Sequence, residues 1–312
     1  MMSCDFDSRF CFVNSLDDLM PATIDSTSTN NENINLSQTL TKEIVPLRSG
    51  PPTKEEMLVY YPGKFTWNQL KTFINSGDLG LLKRDKALQS RYLLWGDGIR
   101  EQYGSMVNYL LTLRLQWGKR DRLSLLPSTL DSKEDDSTID ELERSDLPKE
   151  SPSYFRADAP PELISIIMND WPYSVPSNVE HSLIWTRLPI YPPNLPESIK
   201  PRIDQDGLWG FTGNISPPPS PSTLPACLPA LSEWGVTMDK LIRSPKPSEE
   251  EEELVRKAGE EIATFVKGRW NEREWETAWF VNPPRLQSVP GLAHIHVFAR
   301  FKEPAEIDSW QP

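Results

Sequence analysis

Histidine is scarce in this chain, at 3 of 312 residues. All three fall in two short stretches: His181 in Val-Glu-His-Ser-Leu-Ile-Trp-Thr-Arg, and His294 with His296 in Gly-Leu-Ala-His-Ile-His-Val-Phe-Ala-Arg. Histidine is the side chain that changes charge near neutral pH and most often binds metal, so the places where such chemistry can reside are few. Cysteine is equally rare. Cys4, Cys11 and Cys227 are odd in number and lack zinc spacing, which excludes a disulfide framework. No apolar run nears the roughly 18 residues of a membrane span, and the opening Met-Met-Ser-Cys-Asp-Phe-Asp lacks the basic and apolar regions of a secretory signal. There is no basic run either. With 45 acidic against 33 basic residues the net charge is −12, so the phosphate contacts that drive nucleic-acid binding are missing. These absences predict a soluble, cytoplasmic protein of a reducing compartment that binds neither nucleic acid nor membrane.

Hydrophobic residues make up 38%, below the usual figure of about 45–50%. Proline, at 30 residues, is near twice its usual share of roughly 5%. A compact core diluted by loops follows. Residues 1–51 are rich in Ser, Thr, Asn and Asp and are expected to be disordered. Residues 52–302 form the expected single domain, with flexible insertions at about 128–152 (acidic) and 190–229 (proline-rich), and 303–312 as a tail. Within the proline-rich stretch, lost backbone donors argue against helix or central strand.

Thr66-Trp-Asn-Gln69 is a capping box opening a helix with Leu70, Phe73 and Ile74 on one face. A second helix is expected over about 86–102. A third, over about 105–117, is apolar around much of its girth and is expected to be well buried. A short helix is expected at Pro161–Met168. Ser248 with Glu251 caps a helix over 249–267, with glutamates in its first turn and Gly268 behind it. Residues 180–188, 276–282 and 293–301 read as strands. The pattern is α+β: a helical N-terminal unit packed with a C-terminal, mostly antiparallel sheet.

Side chains alternate across a strand. On the last strand Ala293, Ile295, Val297, Ala299 and Phe301 share one wholly apolar face, expected to pack on the core. Leu292, His294, His296, Phe298 and Arg300 share the other. Alternate Cα atoms on a strand lie about 6–7 Å apart, so the two histidines and the arginine project together. Whether His181 joins them depends on strand order. A His pair with His181 and Asp170 could ligate a metal, but no companion carboxylate has metal-ligand spacing, so no metal ligand is assigned. The sequence names no cofactor and no protein partner. Trp171, Trp185, Trp275 and Trp279 cluster around these strands, where core packing competes with stacking on a ligand.

The segment Asn282-Pro-Pro-Arg-Leu-Gln287-Ser288-Val-Pro-Gly-Leu-Ala-His294-Ile-His296-Val-Phe is similar to the signature of the histidine-triad nucleotide hydrolases and transferases. That resemblance implies a nucleophilic histidine acting on phosphorus. The chain departs from it by carrying two of three histidines: Leu292 or Phe298 stands at the third place. Phe65-Thr-Trp-Asn-Gln-Leu-Lys, Tyr103-Gly-Ser-Met-Val-Asn-Tyr-Leu, Asn169-Asp-Trp-Pro-Tyr, Glu180-His-Ser-Leu-Ile-Trp-Thr-Arg and the segment from Trp279 to Phe298 resemble the fungal N-acetylglucosamine-induced protein family, which carries a domain of unknown function. This second resemblance spans about residues 52–302 and implies a cytosolic protein tied to the response to, or metabolism of, N-acetylglucosamine. Together the readings predict a pocket built from Asn169, Asp170, Trp171, Tyr173, His181, Asn282, Arg285, Gln287, Ser288 and Arg300, with His294 and His296 as the candidate catalytic pair. Its expected ligand is a phosphorylated or nucleotide-linked sugar, with binding expected and hydrolysis or transfer left open. The alternatives are a non-enzymatic small-molecule-binding or regulatory protein and a His-ligated metal site.

Overall fold

The computed structural model describes residues 40–119 and 151–310. The expected disorder of 1–39 and most of the acidic linker fall outside the described residues. Residues 40–51, expected to be disordered, are tied down: Val45 is buried, and Glu56 accepts the Arg48 N–H at 2.6 Å.

In chain order the helices are α1 (Lys54–Tyr60), α2 (Trp67–Asn75), α3 (Lys86–Tyr103), α4 (Met106–Tyr109), α5 (Lys200–Asp206), α6 (Leu224–Cys227), α7 (Glu249–Ala258), α8 (Glu260–Arg269) and α9 (Pro304–Ser309). The strands are β1 (Ile164–Met168), β2 (Val179–Thr186), β3 (Leu208–Thr212), β4 (Trp275–Val281) and β5 (Ala293–Phe301). They form one antiparallel sheet of order β1-β2-β5-β4-β3. The α+β class holds. The histidine strand β5 is the central strand, with β2, the strand of His181, beside it.

Both faces of the sheet are covered. On one, Ile184, Ile295, Val297, Ala299, Trp275 and Trp279 pack against Ile262 and Val266 of α8 and against Phe155 and Leu163. On the other, Ala278, Phe280 and Phe298 meet Leu70, Phe73 and Ile74 of α2, with Leu224 and Leu231 beyond. Leu183 and Trp185 meet Leu110, Leu115 and Val289. The face that carries the histidines is therefore a second interior, roofed by the helix whose capping box (Thr66 with Gln69) marks its start.

Several local expectations change. Ile164–Met168 is a strand, not a helix: Ile164, Ile166 and Ile167 are β-branched, a type that loses rotamer freedom in a helix and packs well on a sheet. The helix expected over 105–117 ends at Arg114 after a wide final turn, and it is not buried all round, because Leu111 and Leu113 are 42% and 58% exposed. The helix expected over 249–267 breaks at Gly259, where a Cβ would lie 2.7 Å from the Trp279 ring. The proline-rich stretch, expected to hold no helix, contains α5 and α6, each with a proline in its first turn where the missing N–H costs nothing, and β3, an edge strand in the proline-free run after Pro201. The C-terminal tail carries α9, fixed by Glu306 on Arg300 at 2.8 Å.

Candidate functional site

β5 pairs with β2 so that His181 faces Phe298, Leu183 faces His296 and Trp185 faces His294. This register brings the three histidines into one row. His181 Nε2 lies 3.0 Å from His296 Nδ1, and the rings of His296 and His294 are 5.1 Å apart. Phe280 of β4 stacks flat on His296 at 4.7 Å, Tyr173 stacks on His181 at 5.1 Å, and Trp185 covers His294 at 4.3 Å. All three histidines are buried.

Burial holds the imidazoles neutral. The pKa values of His181 and His296 fall well below the usual value, chiefly by loss of solvent and further through the Arg84 charge and neighbouring His294. His294 is lowered by burial, opposed by its bond to the Leu292 carbonyl. Arg84 was not anticipated from sequence. It is a largely buried cation with no carboxylate in contact among the described residues. Its guanidinium donates to the Trp171 carbonyl at 2.8 and 3.1 Å and to Gln89, and it lies over the faces of Tyr92 and Tyr173. Its partners come from the adjoining α3 and from residues 171–173, far away in sequence, a convergence that a linear reading cannot assemble.

The anticipated residues divide into four groups. Asn169, Tyr173, Asn282 and Gln287 join the histidines. The Tyr173 N–H meets His181 Nδ1 at 3.1 Å, Asn169 Nδ2 lies 3.3–3.4 Å from the same ring, and the Asn282 amide nitrogen is 3.1 Å from His296 Nε2. Gln287 donates to the Asn282 carbonyl at 3.2 Å. Asp170 and Trp171 serve elsewhere: Asp170 forms a bidentate pair with Arg114 at 2.8 Å, and Trp171 packs with Tyr92 and Trp95. The two arginines expected in the pocket are already engaged. Arg300 is held by Glu276 at 2.7 Å and by Glu306 at 2.8 Å, and Arg285 by Asp78 at 3.2 Å with the Gln205 and Ile242 carbonyls. Ser288 is exposed on the turn and lines neither cavity described below. Among the described residues no group of three or more His, Cys, Asp or Glu side chains is arranged to hold a metal.

Two cavities flank the row. A groove of about 1110 Å³ reaches His181 and is walled by Lys71, Glu276, Arg300 and Glu306. A smaller cavity of about 300 Å³ lies at the other end, lined by Ile190, Tyr191, Val281, Asn282, Gln287, Gly291, Leu292, Ala293 and His294. The larger is not the better chemical site. Its buried charges are satisfied, because Glu276 also accepts from Lys71 at 2.7 Å and from the Trp67 indole at 2.8 Å. In the smaller one two groups are unsatisfied. His294 Nδ1 donates to the Leu292 carbonyl at 2.9 Å, and its Nε2 meets no partner among the described residues. The Asn282 side-chain oxygen is buried without a partner. His296 has both nitrogens engaged, so of the candidate catalytic pair His294 alone keeps a lone pair to offer.

Among the described residues no helix is long and apolar enough to cross a membrane. A solved structure titled "Crystal Structure of HTC1" is similar at a TM-score of 0.34 and 20% identity, covering 78% of this chain and 92% of that one. The N-acetylglucosamine-induced protein 1 of Candida albicans is 26% identical over 126 residues, which are 40% of this chain and 44% of that protein, so less than half of the relative's length is matched. The model of the family described as "Protein of unknown function (DUF3605)" matches residues 66–205 and 241–300, which takes in α2, the sheet apart from β3, and all three histidines. The chain belongs to the DUF3605 family.

Proposed function

We propose that this protein binds a small sugar of the N-acetylglucosamine class in the cavity beside His294, as part of a cytosolic response to, or metabolism of, that sugar. The observation that carries the reading is His294, whose Nε2 makes no hydrogen bond to the described residues, on the wall of a preformed cavity that is also lined by Asn282, whose side-chain oxygen is buried without a partner. Buried polar atoms ordinarily have partners, and each one left alone costs about 1–3 kcal/mol. A polar ligand supplies what the protein withholds. The relative's name links that protein to N-acetylglucosamine. A cavity of about 300 Å³ is at the lower end for ligand sites, the size of a single ring more than of a nucleotide sugar.

A phosphorylated or nucleotide-linked sugar fits this cavity less well, because no cationic side chain lines it. If the bound sugar is turned over, His294 is the base or nucleophile, since its Nδ1–H is anchored and its Nε2 is unprotonated. Binding without turnover remains the simpler reading of the same geometry.

Thermal unfolding of the full chain with millimolar N-acetylglucosamine, its 6-phosphate and its nucleotide-linked form tests this. A ligand at 100 times its Kd stabilises by about 2.7 kcal/mol. The expected result is a clear shift with the free sugar. No shift with any of the three would overturn the reading, and a shift with the phosphorylated forms alone would move the site away from this cavity.

A further inference from the structure

The groove that reaches His181, at about 1110 Å³, has room for a ligand well beyond a single ring. Its polar groups differ in what they can give up. His181 gives nothing. Its Nδ1 accepts the Tyr173 N–H, so its proton sits on Nε2 and is donated to His296 Nδ1, and His296 in turn carries its proton on Nε2. Lys71 and Glu276 are both buried and paired with each other at 2.7 Å. Glu276 also holds one side of Arg300, its Oε2 lying 2.7 Å from Nη2 and 3.2 Å from Nε. These inner contacts tie α2, β4 and β5 together.

The other side of Arg300 is different. Glu306 of α9 lays both carboxylate oxygens on it, Oε2 at 2.8 Å from Nη1 and Oε1 at 3.1 Å from Nη2. This is the two-pronged geometry in which a guanidinium takes a carboxylate or a phosphate. The chain's own carboxylate fills the place of such an anion. Of the four charged members of the network Glu306 is the most exposed, at 29% of its side chain against 12% for Arg300. It stands on a helix of six residues, none of them buried, which is too short to hold its shape unaided. The family match ends at residue 300, so it takes in Arg300 and leaves α9 out. Charge points the same way. With Glu306 lifted off, Lys71 and Arg300 face the single carboxylate of Glu276. Of the groove's other charges, Asp170 is paired with Arg114, and Lys54 and Glu180 are opposite in sign. One positive charge is then in excess.

We propose that the large groove is a second binding site, for a small molecule bearing a phosphate or carboxylate group, in which Arg300 takes the anion and Glu306 is the built-in competitor that the ligand displaces. The site is separate from the cavity beside His294 and does not rest on the sugar-binding reading of that cavity. Glu276 is a positioning residue: it holds the guanidinium in place whichever anion occupies the other side. The inner pair carries the fold and the outer one is exchangeable. Without ligand, α9 closes the site.

Inorganic phosphate and acetate are the probes, titrated into the full chain against chloride at constant ionic strength so that screening stays equal. Glu306→Gln removes the competing charge and should bind phosphate at least about tenfold tighter than wild type, since one charge-assisted hydrogen bond is worth about that factor. Adding Arg300→Lys keeps the charge but loses the fork, and should return the affinity to the wild-type level or below. In wild type, phosphate should speed hydrogen exchange of the α9 amides. A tightening with either probe supports the site and tells which group it takes. Equal affinities in wild type and Glu306→Gln, or no saturable binding of either probe by Glu306→Gln, would overturn the proposal. So would binding that survives Arg300→Lys and is lost in His294→Asn, which would place the anion beside His294. Unchanged α9 exchange in phosphate-bound wild type would contradict displacement. If the double variant does not fold, the comparison of wild type with Glu306→Gln decides alone.

Discussion

At one end of a single sheet face, Arg300 is gripped by Glu276 and Glu306, and Glu276 also holds Lys71 and the Trp67 indole. At the other end of the same face, His294 leaves Nε2 unbonded and the Asn282 amide leaves an atom buried alone. The sequence makes both ends look functional, since both carry polar residues on an otherwise apolar sheet. What separates them is satisfaction. The charged end has spent its hydrogen-bonding capacity on itself and holds α2, β4, β5 and α9 together. The histidine end has capacity left over, and unsatisfied capacity beside a cavity is what a ligand can use.

Perturbations of the two ends should therefore differ in kind. The largest effect on stability is expected at the charged end. Glu276→Ala leaves Lys71, 3% exposed, without its counter-charge, and breaking a buried pair in this way costs about 3–5 kcal/mol. Denaturant unfolding would measure it, and a loss under about 1 kcal/mol would mean that the network does not carry the fold.

Next comes pH. His181 and His296 have native pKa values well below the unfolded value, mainly through burial. Stability is then fully present above pH of about 6.5 and is lost as pH falls, because the unfolded chain takes up protons that the native state refuses. The slope is up to about 1.4 kcal/mol per pH unit for each histidine. Between pH 6.5 and 5 the two should remove about 3 kcal/mol, above the range where ordinary carboxylates titrate. Stability that stayed flat over this window would show that the rings are not buried as neutral groups.

A smaller loss, about 2 kcal/mol, is expected for His296→Leu, which strands the His181 N–H and the Asn282 amide but keeps an apolar ring site filled. Equilibrium unfolding at pH 7 checks it, and the same variant should flatten the pH slope. The smallest loss is expected for His294→Asn, about 1 kcal/mol. That change keeps a donor for the Leu292 carbonyl and removes the Nε2 acceptor, so thermal stabilisation by N-acetylglucosamine should vanish although the fold barely notices. Retained ligand stabilisation would take His294 out of the site.

Much of the frame was legible in the chain. The Thr66 and Ser248 capping boxes, the helix over 86–103 and the parity of β5 all rest on short-range rules that local sequence obeys. Parity correctly grouped His294, His296 and Arg300 on one face. It could not reveal that the face is roofed by α2 or that Arg300 would be claimed by Glu276 from β4 and Glu306 from α9, because those contacts join segments 24 and 6 residues away by a register fixed only in the folded sheet. The break at Gly259 was invisible for the same reason: its cause is the Trp279 ring on a distant strand. Arg84 had no sequence signal at all. An arginine before a capping aspartate looks like surface, and only the convergence of Trp171, Tyr92 and Tyr173 encloses it.

The division of labour among the histidines can be read directly, since the chain has only three and each imidazole nitrogen gives its own NMR resonance. Long-range ¹H–¹⁵N spectra of the full chain at pH 7 should show three neutral rings, with His181 and His296 protonated on Nε2 and His294 on Nδ1. A His294 protonated on Nε2, or a His296 that titrates near the ordinary value of about 6.5, would contradict the claim that two histidines are locked into the fold and one is left open for a ligand.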